Sequence, residues 1–165
     1  DSVKELTQSS HESAKYFEAR QKQLVAALVS NPVLAARVER LMTIPGIGQI
    51  TALTWALEVD DPHRFATVKK AISYCGLCSA EIESAGKRRR APLSRQRNKH
   101  LQTVLIEAAK LSTRWSPAMA RIHQKALDRG AHKNEATIAI ARKLVAYLLC
   151  VDKSGKDFIE QEMQN

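Results

Sequence analysis

The chain has 165 residues, a hydrophobic content of 44% and a formal net charge of +9. Its length suits one compact domain, with or without an appended helix, that needs neither metal nor disulfides for stability. The composition excludes wholesale disorder, no apolar run approaches the ~18 residues of a membrane-spanning helix, and no secretory signal opens the sequence. Because the sequence begins at Asp1, within a predicted helix, we expect it to be part of a longer protein.

The N-terminal segment predicts a long helical arm. Residues 2–29 contain no Gly or Pro, and their apolar side chains fall near one helical stripe that two serines interrupt. This stripe fits either a coiled-coil seam or ordinary packing on the domain. Asn31 as an N-cap and Pro32 in the first turn then predict a second helix that ends near Met42.

Residues 44–48, with the sequence IPGIG, predict a sharp turn before a third helix over about residues 49–59. We call residues 44–48 the glycine turn, and this pattern is typical of a helix-hairpin-helix element. Glycines let the backbone approach a phosphate closely, and the N–H groups that open the next helix point outward as donors. We expect Ile44 and Ile47 to anchor the turn in the core. The alternative is a tight corner whose glycines serve only a positive φ. The candidate DNA contacts here are Gly46, Ile47, Gly48 and Thr51.

The rest of the chain is predicted to be helical except for one insert. Residues 60–63 form a predicted turn. Further helices are predicted over about residues 67–74, 95–112 and 117–130 and from Asn134 onward. Residues 76–95 lack a helical period and predict an irregular insert or a short β-hairpin around Ala85 and Gly86. The polar tail after Ser154 is expected to fray.

These elements predict an all-α fold. We expect a compact helical domain that contains a helix-hairpin-helix element and a small irregular or β-hairpin insert, preceded by a long, coiled-coil-like N-terminal arm. The arm is placed at residues 1–40, the domain at residues 41–152 and a polar tail at residues 153–165.

The positive charge is concentrated in residues 87–100, which we call the basic segment. These 14 residues include seven Lys or Arg and no acid. A cationic stretch without acidic neighbours indicates a phosphate-backbone partner, and it favours nucleic acid over a merely solvated charge run. An anionic membrane surface is less favoured, because no bulky apolar face accompanies the cations. The candidate DNA contacts are Lys87, Arg88, Arg89, Arg90, Arg95, Arg97 and Lys99.

The cysteines and acidic residues do not predict a metal or redox site. Cys75 and Cys78 form a CxxC pair, but no second pair completes a zinc site, and a thioredoxin-type site needs a βαβ pattern that is absent. We expect small buried thiols in a protein of the reducing cytoplasm. Glu58 and Asp60 are interpreted as plain surface acids and Asp61 as a turn residue, so no metal ligand is assigned.

A series of short motifs follows the arm. Besides the glycine turn, they are Thr51 with Ala52, Arg64 with Phe65, Tyr74–Leu77, Ser84–Lys87, Leu93–Asn98 with Leu101, and Ala139–Leu144. In their order and spacing over residues 41–147, they resemble the C-terminal transposase domain of the DEDD-type insertion-sequence transposases, a family that includes the pilin-gene invertases. The long helix before Leu41 resembles the connecting coiled coil of that family.

The resemblance implies a split active site with a nucleophilic serine. A RuvC-like domain outside this sequence would bring four carboxylates and Mg²⁺, while this chain would hold no cofactor and would supply Ser84. The serine would attack a DNA phosphodiester and hold the strand as a phosphoserine ester. Lys87 and Arg88–Arg90 would neutralise the phosphate. Glu81 and Glu83 are candidate bases only by proximity.

Two positions depart from the pattern of the family. Ala85 replaces the first glycine of the serine segment, which restricts that loop, and Arg97 replaces a common glycine. Ser94 is a second serine in a basic context, and we interpret it as the N-cap of the following helix. The alternative role of Ser84 is that of a plain turn residue.

The sequence therefore predicts the DNA-binding, serine-supplying domain of an insertion-sequence transposase or site-specific recombinase. DNA is the expected partner, and the resemblance adds a structured guide RNA as a secondary one. We expect a homodimer or larger assembly in the bacterial or archaeal cytoplasm, associated with the nucleoid and not with a membrane. One alternative is a non-catalytic helix-hairpin-helix accessory protein of DNA repair or replication. Another is an interaction protein that dimerises through its long N-terminal helix.

Overall fold

A computed structural model of the protein describes the backbone of residues 2–84, 87–93 and 98–159, and the side chains of residues 2–78 and 98–159. The described backbone contains seven α-helices: α1 (Ser2–Val29), α2 (Pro32–Met42), α3 (Gln49–Val59), α4 (Val68–Tyr74), α5 (Lys99–Ser112), α6 (Pro117–Asp128) and α7 (Lys133–Ser154). It also contains a 3₁₀ turn, Pro62–Arg64, and two strands, β1 (Ser79–Ser84) and β2 (Lys87–Leu93). The fold is therefore all-α, as predicted, with one small antiparallel sheet.

The chain divides after Ala36 into two compact units. In the first unit, α1 buries none of its residues, and most of its large apolar side chains are exposed. Asn31 opens α2, because its side-chain oxygen accepts hydrogen bonds from the N–H groups of Val33 and Leu34. Both helices predicted for this part of the sequence are therefore confirmed.

The core of the second unit is built around α7. This helix packs against α4, α5, α6 and the 3₁₀ turn, while α3 packs against α5. Apolar residues recur along α7 at helical spacing. Its buried residues are Ala136, Ile140, Ala141, Leu144, Val145, Leu148, Leu149 and Val151. Ile138, on the same helix, is only half-buried.

Helix α5 starts later than the sequence predicts. Its N-cap is Asn98, whose side-chain oxygen accepts a hydrogen bond from the Leu101 N–H at 3.0 Å. The predictions that this helix starts near Arg95 and that Ser94 caps it are therefore wrong. The side-chain amide of Asn98 also donates a hydrogen bond to Glu58 on α3.

The first residues after α7 remain attached to the core. The Phe158 N–H donates to Thr43 Oγ1 at 2.8 Å, and the Phe158 ring centroid lies 4.6 Å from that of Tyr147. The expectation that the tail frays after Ser154 is therefore wrong for residues 155–159. One aromatic contact and one hydrogen bond hold this short segment beside the end of α2.

A buried carboxylate connects three helices of this unit. The Asp152 side chain on α7 is only 3% exposed. It accepts hydrogen bonds from Arg37 Nε and Nη2 on α2, at 2.8 and 2.7 Å, and from Trp55 Nε1 on α3, at 2.9 Å. Arg37 also donates to the Ala56 carbonyl at 3.3 Å. A carboxylate this deeply buried is tolerated because an opposite charge and several hydrogen bonds replace its water.

Asp152→Ala should lower the free energy of unfolding by about 3–5 kcal/mol, because Arg37 would keep a largely buried charge without a partner. Urea denaturation followed by circular dichroism measures the change. The control is Glu107→Ala, which removes an exposed ion pair with Lys110 and should cost less than about 1 kcal/mol. Similar small losses in the two variants would contradict the role assigned to Asp152.

Candidate nucleic-acid interface

The glycine turn joins α2 to α3, and two buried isoleucines, Ile44 and Ile47, anchor it in the core as predicted. Gly46 has a φ of +89°, which L side chains rarely adopt. A Cβ at this position would also lie 2.5 Å from Ser112 Cβ, at the end of α5. Gly46 is therefore required both by its backbone conformation and by its packing against α5.

The start of α3 presents exposed backbone donors. Gly48 is the N-cap in an extended conformation, and no side chain caps the helix. The first helical hydrogen bond runs from the Ala52 N–H to the Gly48 carbonyl. The N–H groups of residues 49–51 therefore have no acceptor within the helix. Gly48, Gln49 and Ile50 are exposed, and the first turn contains no acid. This geometry suits an anion.

The four predicted contacts of the glycine turn differ in accessibility. Ile47 is buried and Thr51 is only 8% exposed, so their side chains belong to the core. Gly46 is half-buried. A Cβ at Gly48, in contrast, would meet nothing within 4 Å. Gly48 and the first N–H groups of α3 therefore form the accessible part of this turn.

The β1–β2 hairpin carries the candidate nucleophile. The strands are antiparallel, and their Cα partners are Ser84 with Lys87, Glu83 with Arg88, Ile82 with Arg89, and Glu81 with Arg90. Ser84 thus ends β1 opposite the first cation of β2. The neighbouring residues Ala85, Gly86, Ser94, Arg95 and Arg97 lie outside the described residues.

The register of this hairpin corrects one premise of the sequence analysis. No acid lies within the basic segment itself, but two of its cations, Arg88 and Arg90, face acids across the strands. Directly opposite residues of opposite charge stabilise an antiparallel pair. Lys87 and Arg89, whose partners are a serine and an isoleucine, have no acid opposite them. The four cations are therefore not equivalent.

Two hydrogen bonds fix the base of the hairpin to α5 and α7. Gln102 Nε2 donates to the Gly76 carbonyl and Arg142 Nε donates to the Leu77 carbonyl, both at 2.7 Å. Gln102 and Leu77 are buried, so water does not compete for these bonds. The sequence analysis missed both donors. An amide within the apolar stripe of α5 is the signal that points to Gln102, since a buried amide needs partners.

Asn98, the first described residue after β2, is hydrogen-bonded to two other elements. Its N–H donates to the Tyr74 carbonyl at 3.4 Å, and its Nδ2 donates to Glu58 Oε2 at 2.6 Å. Interpreting Glu58 as a plain surface acid is therefore wrong, because it holds the residue that caps α5. Lys99 and His100 are exposed beside Glu58, where they line a cleft of about 390 Å³ between α3 and α5.

Helix α5 separates the two candidate contact surfaces. The glycine turn packs on Ser112 at its C-terminal end, whereas Asn98 and Gln102 hold the hairpin at its N-terminal end. At 1.5 Å per residue, these ends are about 20 Å apart along the helix axis. The glycine turn and the segment that leads into the hairpin therefore lie at opposite ends of α5, within one unit.

The described side chains form no cluster of three or more His, Cys, Asp or Glu residues. Cys75 is buried as predicted, and burial raises the pKa of its thiol to about 12, so it stays protonated and unreactive at neutral pH. Cys78 is half-buried and Cys150 is exposed, and all three cysteines are free.

Within the described ranges, no helix is long and apolar enough to cross a membrane.

A profile of the Transposase IS116/IS110/IS902 family matches residues 38–124, which is more than half of the chain. The chain belongs to this transposase family.

Several curated relatives have names that agree with this family. A "Probable family 20 transposase" of Pseudomonas aeruginosa is 27% identical over 143 residues, which cover 84% of this chain and 42% of the relative. The "Transposase for insertion sequence element IS1111A" of Coxiella burnetii is 30% identical over 64% of this chain and 30% of its own length. A "Pilin gene-inverting protein" of Moraxella bovis is 28% identical over 77% of this chain and 40% of its own length. The chain therefore spans less than half the length of these relatives.

Gly46→Ala should lower the free energy of unfolding by more than about 1 kcal/mol, because the variant must strain its φ and displace Ser112. The matched variant is Gly48→Ala, whose new Cβ enters open space and whose φ of −92° suits any residue. Its effect should stay within about 0.5 kcal/mol. Denaturant unfolding of both variants checks the difference, and an equal effect would show that the packing of Gly46 is unimportant.

Proposed function

We propose that this chain is the DNA-engaging, serine-supplying domain of an insertion-sequence transposase or site-specific recombinase, equivalent to the C-terminal domain of the DEDD type. Membership of the transposase family supports the class of reaction. The observation that carries the proposal is the hairpin register, in which Ser84 pairs with Lys87 at the start of a run of four cations. Attack on a phosphodiester needs this combination of a hydroxyl and positive charge.

The reaction proposed for Ser84 is a transesterification. Its Oγ forms a bond to phosphorus while the bond from phosphorus to one deoxyribose oxygen breaks, and that oxygen leaves as a hydroxyl with the proton that the serine loses. Attack by a hydroxyl of another strand reverses these changes, rejoins the DNA and frees the serine. Because the phosphoserine ester conserves the bond energy, strands are exchanged without ATP.

A serine hydroxyl is a weak nucleophile at neutral pH and needs a base or a metal nearby. We propose that this help comes from a RuvC-like domain outside this sequence, whose four carboxylates would bind Mg²⁺. A bound Mg²⁺ would polarise the phosphate and the attacking oxygen. Glu81 and Glu83 are each the partner of an arginine in the hairpin register. Neither is therefore proposed as the base.

The glycine turn and α3 are proposed to act as a helix-hairpin-helix element that holds a second phosphate. The exposed Gly48 and the unpaired first N–H groups of α3 support this role. The turn and the segment that leads into the hairpin lie at opposite ends of α5, so this contact is proposed in addition to the reacting phosphate.

The whole enzyme is proposed to work as a homodimer or larger assembly in the bacterial or archaeal cytoplasm, at the nucleoid. The exposed apolar residues of α1 support self-association. They are Val3, Leu6, Phe17, Leu24 and Leu28. A structured guide RNA is proposed as a second partner, on the strength of the family resemblance and the charge of the basic segment.

Ser84→Ala, in an intact transposase that contains this chain and its RuvC-like domain, should reduce strand transfer to background while DNA binding stays unchanged, because only the nucleophile is lost. The measurements are the joining of labelled DNA strands and the covalent protein–DNA adduct retained on a denaturing gel. Ser94→Ala is the matched control, since this serine belongs to the same basic segment, and it should keep both activities. An adduct in the Ser84→Ala enzyme would refute the assignment. A non-catalytic accessory protein would give no adduct in any form.

Duplex DNA binding by this chain should weaken steeply with salt, because each contacted phosphate adds about −0.9 to the slope of log K against log [salt]. Replacing Lys87 and Arg89 together with Gln should make this slope less negative by up to about 1.8. Replacing Arg88 and Arg90, which face acids across the hairpin, should change it less.

Fluorescence anisotropy with one labelled duplex at several salt concentrations measures these slopes. Lys4→Gln and Lys15→Gln on the arm serve as charge-matched controls and should leave the slope unchanged. Identical slopes for all three double variants would mean that the basic segment only aids solubility.

A further inference from the structure

An apolar cleft lies beside the glycine turn, next to the end of α5. It has a volume of about 390 Å³ and is lined by the glycine turn together with Met42, Leu111 and Trp115. All three of these side chains are exposed, and Trp115 is 71% exposed. The cleft therefore presents a large aromatic surface to solvent at the edge of the proposed phosphate contact.

The backbone of Trp115 is held on both sides. Its N–H donates to the Ser112 carbonyl at 3.1 Å. The next residue, Ser116, is buried and caps α6 by accepting a hydrogen bond from the Met119 N–H. Trp115 thus stands in a fixed connection between α5 and α6. An exposed indole forgoes the stabilisation of burial, and a ligand that covers it recovers this free energy.

No residue that lines the cleft is charged, either acidic or basic, and the charges next to it along the chain are positive. Arg114, directly before Trp115, is exposed, and the acid near this end of α5, Glu107, is ion-paired with Lys110 at 2.6 Å. The chain as a whole carries a net charge of +9. An acidic polymer with flat apolar groups matches this combination of charge and shape.

We propose that an unpaired base of a DNA strand stacks on Trp115, an inference that rests on the proposed function. Base–aromatic stacking needs one exposed flat ring and is tolerant of sequence, because every base has such a face. The apolar lining offers few groups for reading base edges, which fits a sequence-independent contact. In a duplex the base faces are covered by their neighbours, whereas the proposed exchange of strands separates bases from their partners.

The chain contains two tryptophans, which makes the test direct. Trp55 is fully buried and bound to Asp152, so quenching of fluorescence by an added oligonucleotide would report on Trp115. The chain is titrated with single-stranded oligothymidylate and with a duplex of the same length, with anisotropy recorded in parallel. The single strand should quench the fluorescence and the duplex should not. In Trp115→Phe, whose remaining indole is Trp55, quenching should disappear.

Trp115→Ala should weaken binding of the single strand by about 5- to 150-fold, which corresponds to the ~1–3 kcal/mol of one stacked base. Trp115→Phe should lose less, because a ring remains. Tyr16→Ala is the matched control, since this aromatic side chain on α1 is also 66% exposed, and it should bind like the unchanged chain. Thermal unfolding verifies that each variant is folded.

The possible failures are distinguishable. Equal affinity of the unchanged chain and Trp115→Ala for the single strand, or equal quenching by the duplex, would overturn this inference alone, since salt-dependent duplex binding would persist. An unchanged chain that binds neither form of DNA would overturn the proposed function. Stronger quenching by an RNA strand of the same length, or quenching only by a protein partner, would overturn the assignment of the cleft to DNA.

Discussion

The second unit depends on one buried negative charge. Asp152 accepts hydrogen bonds from Arg37 on α2 and Trp55 on α3, and these two helices are the ones that the glycine turn connects. Because an unpaired buried carboxylate is costly, both helices must keep their positions against α7. The turn is thus fixed at both of its ends by one ionic network, and in its middle by the contact of Gly46 with Ser112. The geometry of the candidate phosphate site is a consequence of core packing.

Several long side chains among the described residues of this unit bind backbone carbonyls. Arg142 binds the carbonyl that precedes β1, and Lys153 binds the Phe65 carbonyl at 2.7 Å. Such bonds attach irregular segments to helices, because they satisfy acceptors that no secondary structure would otherwise pair. Arg142 and Gln102 in this way hold the base of the hairpin on two helices. The proposed role of the hairpin in presenting a nucleophile to a phosphate would need this kind of support, since small displacements reduce reactivity strongly.

The sequence predicted correctly those elements whose formation depends on residues close together in the chain. The cap at Asn31 and the glycine turn depend on residues within one turn of the chain, so the sequence alone indicates them. The failures have distant causes. Asn98 and Ser94 are both good N-caps, and the bond from Asn98 to Glu58, 40 positions away, identifies the one that is used. The attachment of Phe158 likewise depends on a partner 115 positions away, which periodicity does not reveal.

The hairpin register also distinguishes the four cations of β2 that the proposed reaction would use. Along β2, Arg90 and Arg88 are the Cα partners of Glu81 and Glu83, whereas Arg89 and Lys87 are the partners of the uncharged residues Ile82 and Ser84. The cations without an acidic partner therefore alternate with those that have one. Lys87, at the tip, is the one whose partner is Ser84 itself. A phosphate drawn to Lys87 would arrive next to the proposed nucleophile.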